Sequence, residues 1–359
     1  MTAHPIHITV RQERMAHGLR RLAELSGHPL GQRDRNGLEI WYDLLGERDL
    51  PLPPVLDGFV VGVIFLAMRL GSPLRIHGPV SRSLCVNLRE FQAAWALWCP
   101  ERYHVVELLP DEVVDLPVTV PAGGHSAVAA YSGGVDGTAT AIRHARQLLG
   151  NGSYRLTDLL LVHGFDVPLA AGGAFDALVA RTRPFVDSLG LTLRLVRTNI
   201  RSVLDQRWED SFLTQLVSAL FNYSHLHRYC LIGSGATYRD MYFPWGSTAM
   251  TDHLLSGDLM QVVLDGSDLN RTEKCALIAE HPVALRSLKV CWEGKDHASN
   301  CGHCEKCLRT KMNLVAAGAD PRECFGDTLD PAEVGNLRPR NQVQLDELYS
   351  ILDYAAAKG

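Results

Sequence analysis

A chain of 359 residues with 46% hydrophobic and 21% charged residues has an ordinary globular composition, which excludes a disordered or collagen-like protein. Formal charge is −5 with a pI near 6.3, so bulk electrostatics disfavour a general polyanion binder and nucleic acid is not an expected partner. The longest uncharged apolar stretch, Phe59 to Met68, is too short to span a bilayer, and the N-terminal MTAHPIHITVRQER lacks the apolar region of a secretion signal; a cytoplasmic protein without membrane association is expected.

Residues 1–125 read as mixed α and β. IHITV (Ile6 to Val10) alternates as a short strand, PLRIHG ends another at Gly78, Leu88 to Trp98 has helical apolar spacing, and Tyr103 to Leu109 is again strand-like. The Pro- and Gly-containing DEVVDLPVTVPAGGHS marks a boundary near residue 125. Beyond it, strands and helices alternate, which favours a parallel sheet with helices on its faces. Strands are expected at Ser126 to Ser132, Asp158 to Gly164, Leu191 to Asn199, Tyr229 to Gly235 and Leu259 to Gly266, with helices at Gly137 to Leu149, Phe175 to Leu189 and Leu213 to Leu226. The expected organisation is an N-terminal α+β domain (1–125), a Rossmann-like layered α/β domain (126–320) and a C-terminal extension (321–359) ending in a helix over Leu345 to Ala357.

The first strand of the second segment runs into SGGVDGT, Ser132 to Thr138, and then into a helix. Consecutive glycines let the backbone turn sharply and approach a ligand, and the helix start offers free N–H groups with partial positive charge, a geometry suited to phosphate. Ser132, Gly133, Gly134, Val135, Asp136, Gly137 and Thr138 are the candidate cradle, with the two hydroxyls as donors. A carboxylate here repels phosphates unless Mg²⁺ lies between, so Asp136 points to a metal-bridged nucleotide. The bland alternative is an ordinary strand-to-helix turn.

Nine cysteines are unevenly spread, and Cys291, Cys301, Cys304 and Cys307 crowd together as C-x9-C-x2-C-x2-C. Four thiolates satisfy a tetrahedral Zn²⁺, and Gly302 permits the tight knuckle. An iron–sulfur cluster and unconnected thiols are the alternatives. His297 and His303 are spare candidates.

The string SGGVDGT resembles the PP-loop of the ATP pyrophosphatase superfamily, and with CGHCEKCLRT and DLNRTEKCALI it resembles the branch of 7-cyano-7-deazaguanine synthase-like proteins, over roughly residues 126–318. The resemblance implies an adenine nucleotide alpha hydrolase-like fold and an enzyme that uses ATP and Mg²⁺ to adenylate a carboxylate or amide oxygen, releasing pyrophosphate before ammonia or another amine attacks. Gly137 replaces the family's usual serine. The implied partners are a small-molecule or peptide acid and an amine donor, with homodimerisation left open. Arg271 and Lys274 fall where the family has basic residues near phosphates, and Arg309 follows the last cysteine in the same way. At the carboxyl edge of the sheet, backbone groups of Val162 and His163 are candidates for reading adenine, and Gly233 and Ser234 for close approach to the nucleotide. The segment Tyr238 to Ser256, with Asp240, Ser247, Thr251 and Asp252, is either an acceptor pocket or a loop packed against the N-terminal segment. Two other functions stay open: sulfur transfer to tRNA, for which Cys230 and Cys275 are the candidate nucleophiles, and a non-catalytic nucleotide-binding regulatory module.

Overall fold

The computed structural model describes residues 4–27, 38–117, 124–291, 293–294 and 296–358. The proline- and glycine-containing boundary at 118–123 and Trp292 beside the first knuckle cysteine lie outside them.

The chain begins with β1 (Ile6–Met15), β2 (Gly18–Ser26) and β3 (Leu38–Leu45), followed by α1 (Asp57–Leu70), β4 (Leu74–Ser81), α2 (Arg82–Trp98) and β5 (Leu108–Val114). The second segment alternates: β6 (Ser126–Ala130), α3 (Val135–Ala145), β7 (Arg155–His163), α4 (Gly172–Ser188), β8 (Thr192–Thr198), α5 (Ile200–Leu204), α6 (Trp208–Phe221), β9 (Tyr229–Gly233), β10 (Gln261–Asp265) and α7 (Arg271–Ala279). Then come α8 (Pro282–Ser287), α9 (Glu305–Ala316), the short α10 (Arg322–Phe325) and α11 (Pro331–Gly335), and α12 (Gln342–Lys358). The strand expected at Tyr103 to Leu109 lies further on, as β5, because pairing with β4 starts only at Leu108. No described helix is long and apolar enough to cross a membrane.

The ten strands among the described residues join one sheet in the order β10-β9-β6-β7-β8-β3-β2-β1-β4-β5. The joint between the segments is antiparallel, with Tyr42 opposite Thr198 and Leu45 opposite Leu195. Around β6 the pairing is parallel on both sides, to β7 and to β9. The strand order reverses there: β7 and β8 extend one way, β9 and β10 the other. Alternation along β6 explains the two helical layers. Val128 joins the apolar cluster that contains residues of α1, α2 and α6, while Ala127 and Ala129 join the cluster with residues of α3, α4, α7 and α9. The first cluster also takes in Ile6, Leu19, Ile40 and Leu74, so N-terminal residues and the core of the second segment bury one another. Tyr42 and Ser218 seal that junction with hydroxyls 2.6 Å apart.

Candidate functional site

The glycine loop leaves β6 at the point where strand order reverses, the place where open α/β sheets form a ligand crevice. Gly133 has φ +79°, which calls for glycine, and a Cβ there would lie in tight contact, 3.2 Å from Lys289 and Thr182 side-chain carbons. Gly134 caps α3, which puts Val135 and Asp136 in the first turn, where free N–H groups favour an anion. Gly137 lies close against the strand it follows: a Cβ would stand 2.9 Å from the Ala130 carbonyl oxygen. Gly233 at the end of β9 is as close to α3: a Cβ there would stand 2.7 Å from the Asp136 carbonyl carbon and oxygen. Each of the two glycines thus lets a strand end touch the helix start.

Asp136 is the focus of the site. Arg271 Nη1 lies 3.3 Å and Lys274 Nζ 3.4 Å from its two oxygens, both reaching from the first turn of α7. Burial alone would raise the Asp136 carboxyl, but the charges of Arg271, Lys274 and Lys306 outweigh it and hold the group below the usual carboxylate range. Lys274 also donates to the Ser234 carbonyl, and Arg271 has a buried Nε without a hydrogen-bond partner. The helix α7 is started by a capping box in which Asn270 and Glu273 exchange hydrogen bonds, which fixes where its two cations point.

One expected donor, Thr138, and one candidate for close approach to the nucleotide, Ser234, have their hydroxyls turned inward. The Thr138 hydroxyl donates to Gly134 O at 2.7 Å and the residue is buried, because a side chain one turn into α3 folds back on its own helix. Ser234 likewise donates to Ala236 O at 2.6 Å. Ser132 remains exposed on the loop. The His163 ring is buried, stacked on Phe175 at 4.4 Å and 2.9 Å from Pro168 O through Nε2, and burial pushes it below the ordinary histidine range. The ring is thus engaged within the fold, and the main-chain groups of His163 lie on the β8 side, where the residue pairs with Arg197. Tyr131 N–H is the last β6 group bonded to β7, at Leu160 O, so main-chain alternation leaves Val162 N–H and C=O on the side that β6 vacates.

Sequence reasoning passed over Lys289 and Lys306. Lys289 N–H donates to Gly133 O at 2.8 Å, tying the segment before the knuckle to the glycine loop. Lys306, between two cysteines, lies within electrostatic range of Asp136, Asp166, Arg271 and Arg309; burial and Arg271 push its ammonium down. Arg309, one turn further along α9, is buried and paired with Glu305 at 2.6 Å. The one sequence signal for Lys306 was its place inside the cysteine string.

The four cysteines converge. All four Sγ atoms lie within 4.8 Å of one another, with Cys291–Cys304 and Cys301–Cys307 each 3.8 Å apart. A tetrahedron with metal–sulfur bonds of about 2.3 Å has sulfur–sulfur edges of about 3.8 Å, so the set fits a metal ion such as zinc. Gly302 makes the turn at φ +82°. Asn300 clamps the knuckle to α8: its Oδ1 accepts from Val290 and Cys291 N–H, and its amide donates to Leu288 O at 3.0 Å. Neither histidine is needed; His303 is exposed and paired with Glu333 at 2.6 Å.

The segment after β9 is a packed loop as much as a pocket wall. Ser247 Oγ and Thr248 N–H both donate to Asp252 at 2.6 Å, and Thr248 and Thr251 hydroxyls lie 3.0 Å apart in the interior. Phe243 packs on Trp98 of α2 at 5.3 Å, and Trp245 on Phe212 at 6.1 Å. Cys230 and Cys275 are fully buried, and burial raises both thiols, Cys275 to about 12.

No family model matches the chain, and neither a curated protein nor a solved structure matches it.

Proposed function

We propose that the protein is an AMP-forming, ATP-dependent ligase of the PP-loop type, with an adenine nucleotide alpha hydrolase-like fold over residues 126–320. The observation that carries the reading is the convergence on Asp136: a glycine loop at the strand-order reversal, Arg271 and Lys274 from α7, and Lys306 and Arg309 from α9. A polyphosphate is the ligand that such a ring of cations around a helix start suits.

A carboxylate or amide oxygen of the acid substrate would attack the α-phosphorus of ATP and expel pyrophosphate; an amine would then attack the activated carbon and release AMP. The backbone N–H groups of Gly133 to Asp136 and the side chains of Arg271, Lys274 and Lys306 bind the phosphates and carry the charge that grows on the leaving pyrophosphate. The Val162 main chain is proposed to read the adenine edge. Asp136, held ionised and 26% exposed, would hold Mg²⁺, which supplies phosphate charge neutralisation. A zinc ion in the four-cysteine set would be structural, since four thiolates leave no open position. Sulfur transfer through Cys230 or Cys275 finds no support in two buried thiols held protonated. The regulatory-module reading draws on Gly137 and the inward Thr138, and it differs in one respect that an assay can read: nucleotide binding without release of AMP and pyrophosphate when acids and amines are supplied.

A further inference from the structure

The C-terminal helix α12 packs on α7 and α9, the two helices that bring cations to Asp136. Its attachment is mostly polar. Ile351 is its one buried residue, Tyr349 and Leu352 are exposed, and an amphipathic helix with so little apolar burial is weakly docked. Gln344 donates to Glu305 at 3.2 Å, Tyr242 donates to Asp346 at 2.6 Å, and the Glu347 carboxylate meets the Arg309 guanidinium. Arg309 therefore lies between two carboxylates, Glu305 of its own helix and Glu347 of a separate element.

The space under the helix is small. A cavity of about 40 Å³ has Gly235, Asn270 and Arg271 on one wall and Asp346, Glu347 and Ser350 on the other. That is room for about three waters, less than a nucleotide polyphosphate occupies. Charge points the same way: Glu347 supplies an anion to a cluster of buried and half-buried cations, as a phosphate oxygen would.

We propose that α12 is a lid over the anion site, held shut by Glu347 in the place of a phosphate oxygen on Arg309 and displaced when a polyphosphate enters. The inference rests on the adenylation reading for the identity of that ligand, and the experiment separates the two. Inorganic pyrophosphate is titrated calorimetrically into the full-length protein and into Glu347→Gln and Tyr242→Phe variants, and hydrogen exchange of residues 342–358 is followed with and without it. Removal of one partly exposed contact should tighten pyrophosphate binding about two- to fivefold in each variant. Exchange in α12 should rise on pyrophosphate binding in the wild type and be raised beforehand in the variants. Tyr242→Phe loosens the helix without touching Arg309, so it tests the lid even where Glu347→Gln folds poorly. Unchanged or weaker affinity in both variants, no pyrophosphate binding at all, or slower exchange of α12 on binding would each overturn the lid. Production of AMP from ATP is measured in parallel: its absence beside the expected pyrophosphate results overturns the adenylation reading and leaves the lid standing.

Discussion

Position 137 tests whether the loop geometry is understood, because the resembled family places serine where this chain has glycine. In Gly137→Ser the new Cβ would stand 2.9 Å from the Ala130 carbonyl oxygen, a main-chain atom of β6 that has no rotamer to change. A normal contact needs roughly half an ångström more, and forcing an extra carbon into a close-packed site costs about 1–3 kcal/mol. Replacing glycine in a helix returns about 0.5–1 kcal/mol by lowering backbone freedom in the unfolded chain. The net expectation is a loss between about 0 and 2.5 kcal/mol, centred on about 1.2, which with a urea slope of about 3 kcal/mol/M lowers the unfolding midpoint by about 0.4 M at the centre of that range. Gly137→Ala should lose as much as Gly137→Ser, since the obstruction is at Cβ and not at the hydroxyl. Unfolding of both variants and the wild type in urea, followed by circular dichroism, decides it. A serine variant as stable as the wild type, or one that turns over ATP faster, would refute the claim that the loop has no room for the family's side chain.

Asp136→Asn should keep the circular dichroism spectrum but lower the melting temperature, because Arg271 and the buried Lys274 lose their counter-charge, and should abolish AMP release; retained turnover removes Asp136 from the mechanism. Cys304→Ser should lower metal content below one ion per chain and reduce thermal stability, and because Lys289 joins the knuckle segment to Gly133, it should also weaken ATP binding; a metal-free variant of unchanged stability and affinity would contradict both links. Burial raises Asp252 to about 7 from 3.8, so between those values the folded state binds more protons than the unfolded one and stability falls as pH rises, then levels off. Asp252→Asn removes this slope, so its melting temperature should gain on the wild type from pH 4 to 7 and run parallel above; parallel curves throughout would disprove the assignment.

Half the sheet was legible because β6, β7, β9 and β10 are short apolar-rich runs that lead into glycine, and because β8 alternates along LTLRLVRTN. The hairpin β2–β3 was not, because its sequence carries Arg20, Arg21 and Asp43, which read as a surface. In the fold Arg21 is fully buried, with its charge satisfied by Gln12 and the Asn222 and Pro51 carbonyls, contacts that no local pattern announces. β5 carries Pro110, Asp111 and Glu112, as an edge strand does, so its apolar signal is weak and shifted toward the preceding coil. At the candidate site, Gly133 and Asp136 stood out through the glycine loop and Arg271 and Lys274 only through the resemblance, and the structure brings both cations against Asp136. Thr138 was read as a donor because composition gives a hydroxyl but not its direction. Lys289 and Lys306 are recruited by the long-range packing of the knuckle on the loop, which depends on α8 folding back against α4 and α7 and α9 against α7.

The central claim is that this crevice splits ATP between its α and β phosphates. Incubation of the purified protein with [α-³²P]ATP, Mg²⁺, candidate carboxylic acids and ammonium or primary amines, with separation of the labelled nucleotides, tests it most directly. The account predicts labelled AMP and stoichiometric pyrophosphate, dependent on the acid and lost in Asp136→Asn; labelled ADP with orthophosphate would contradict it.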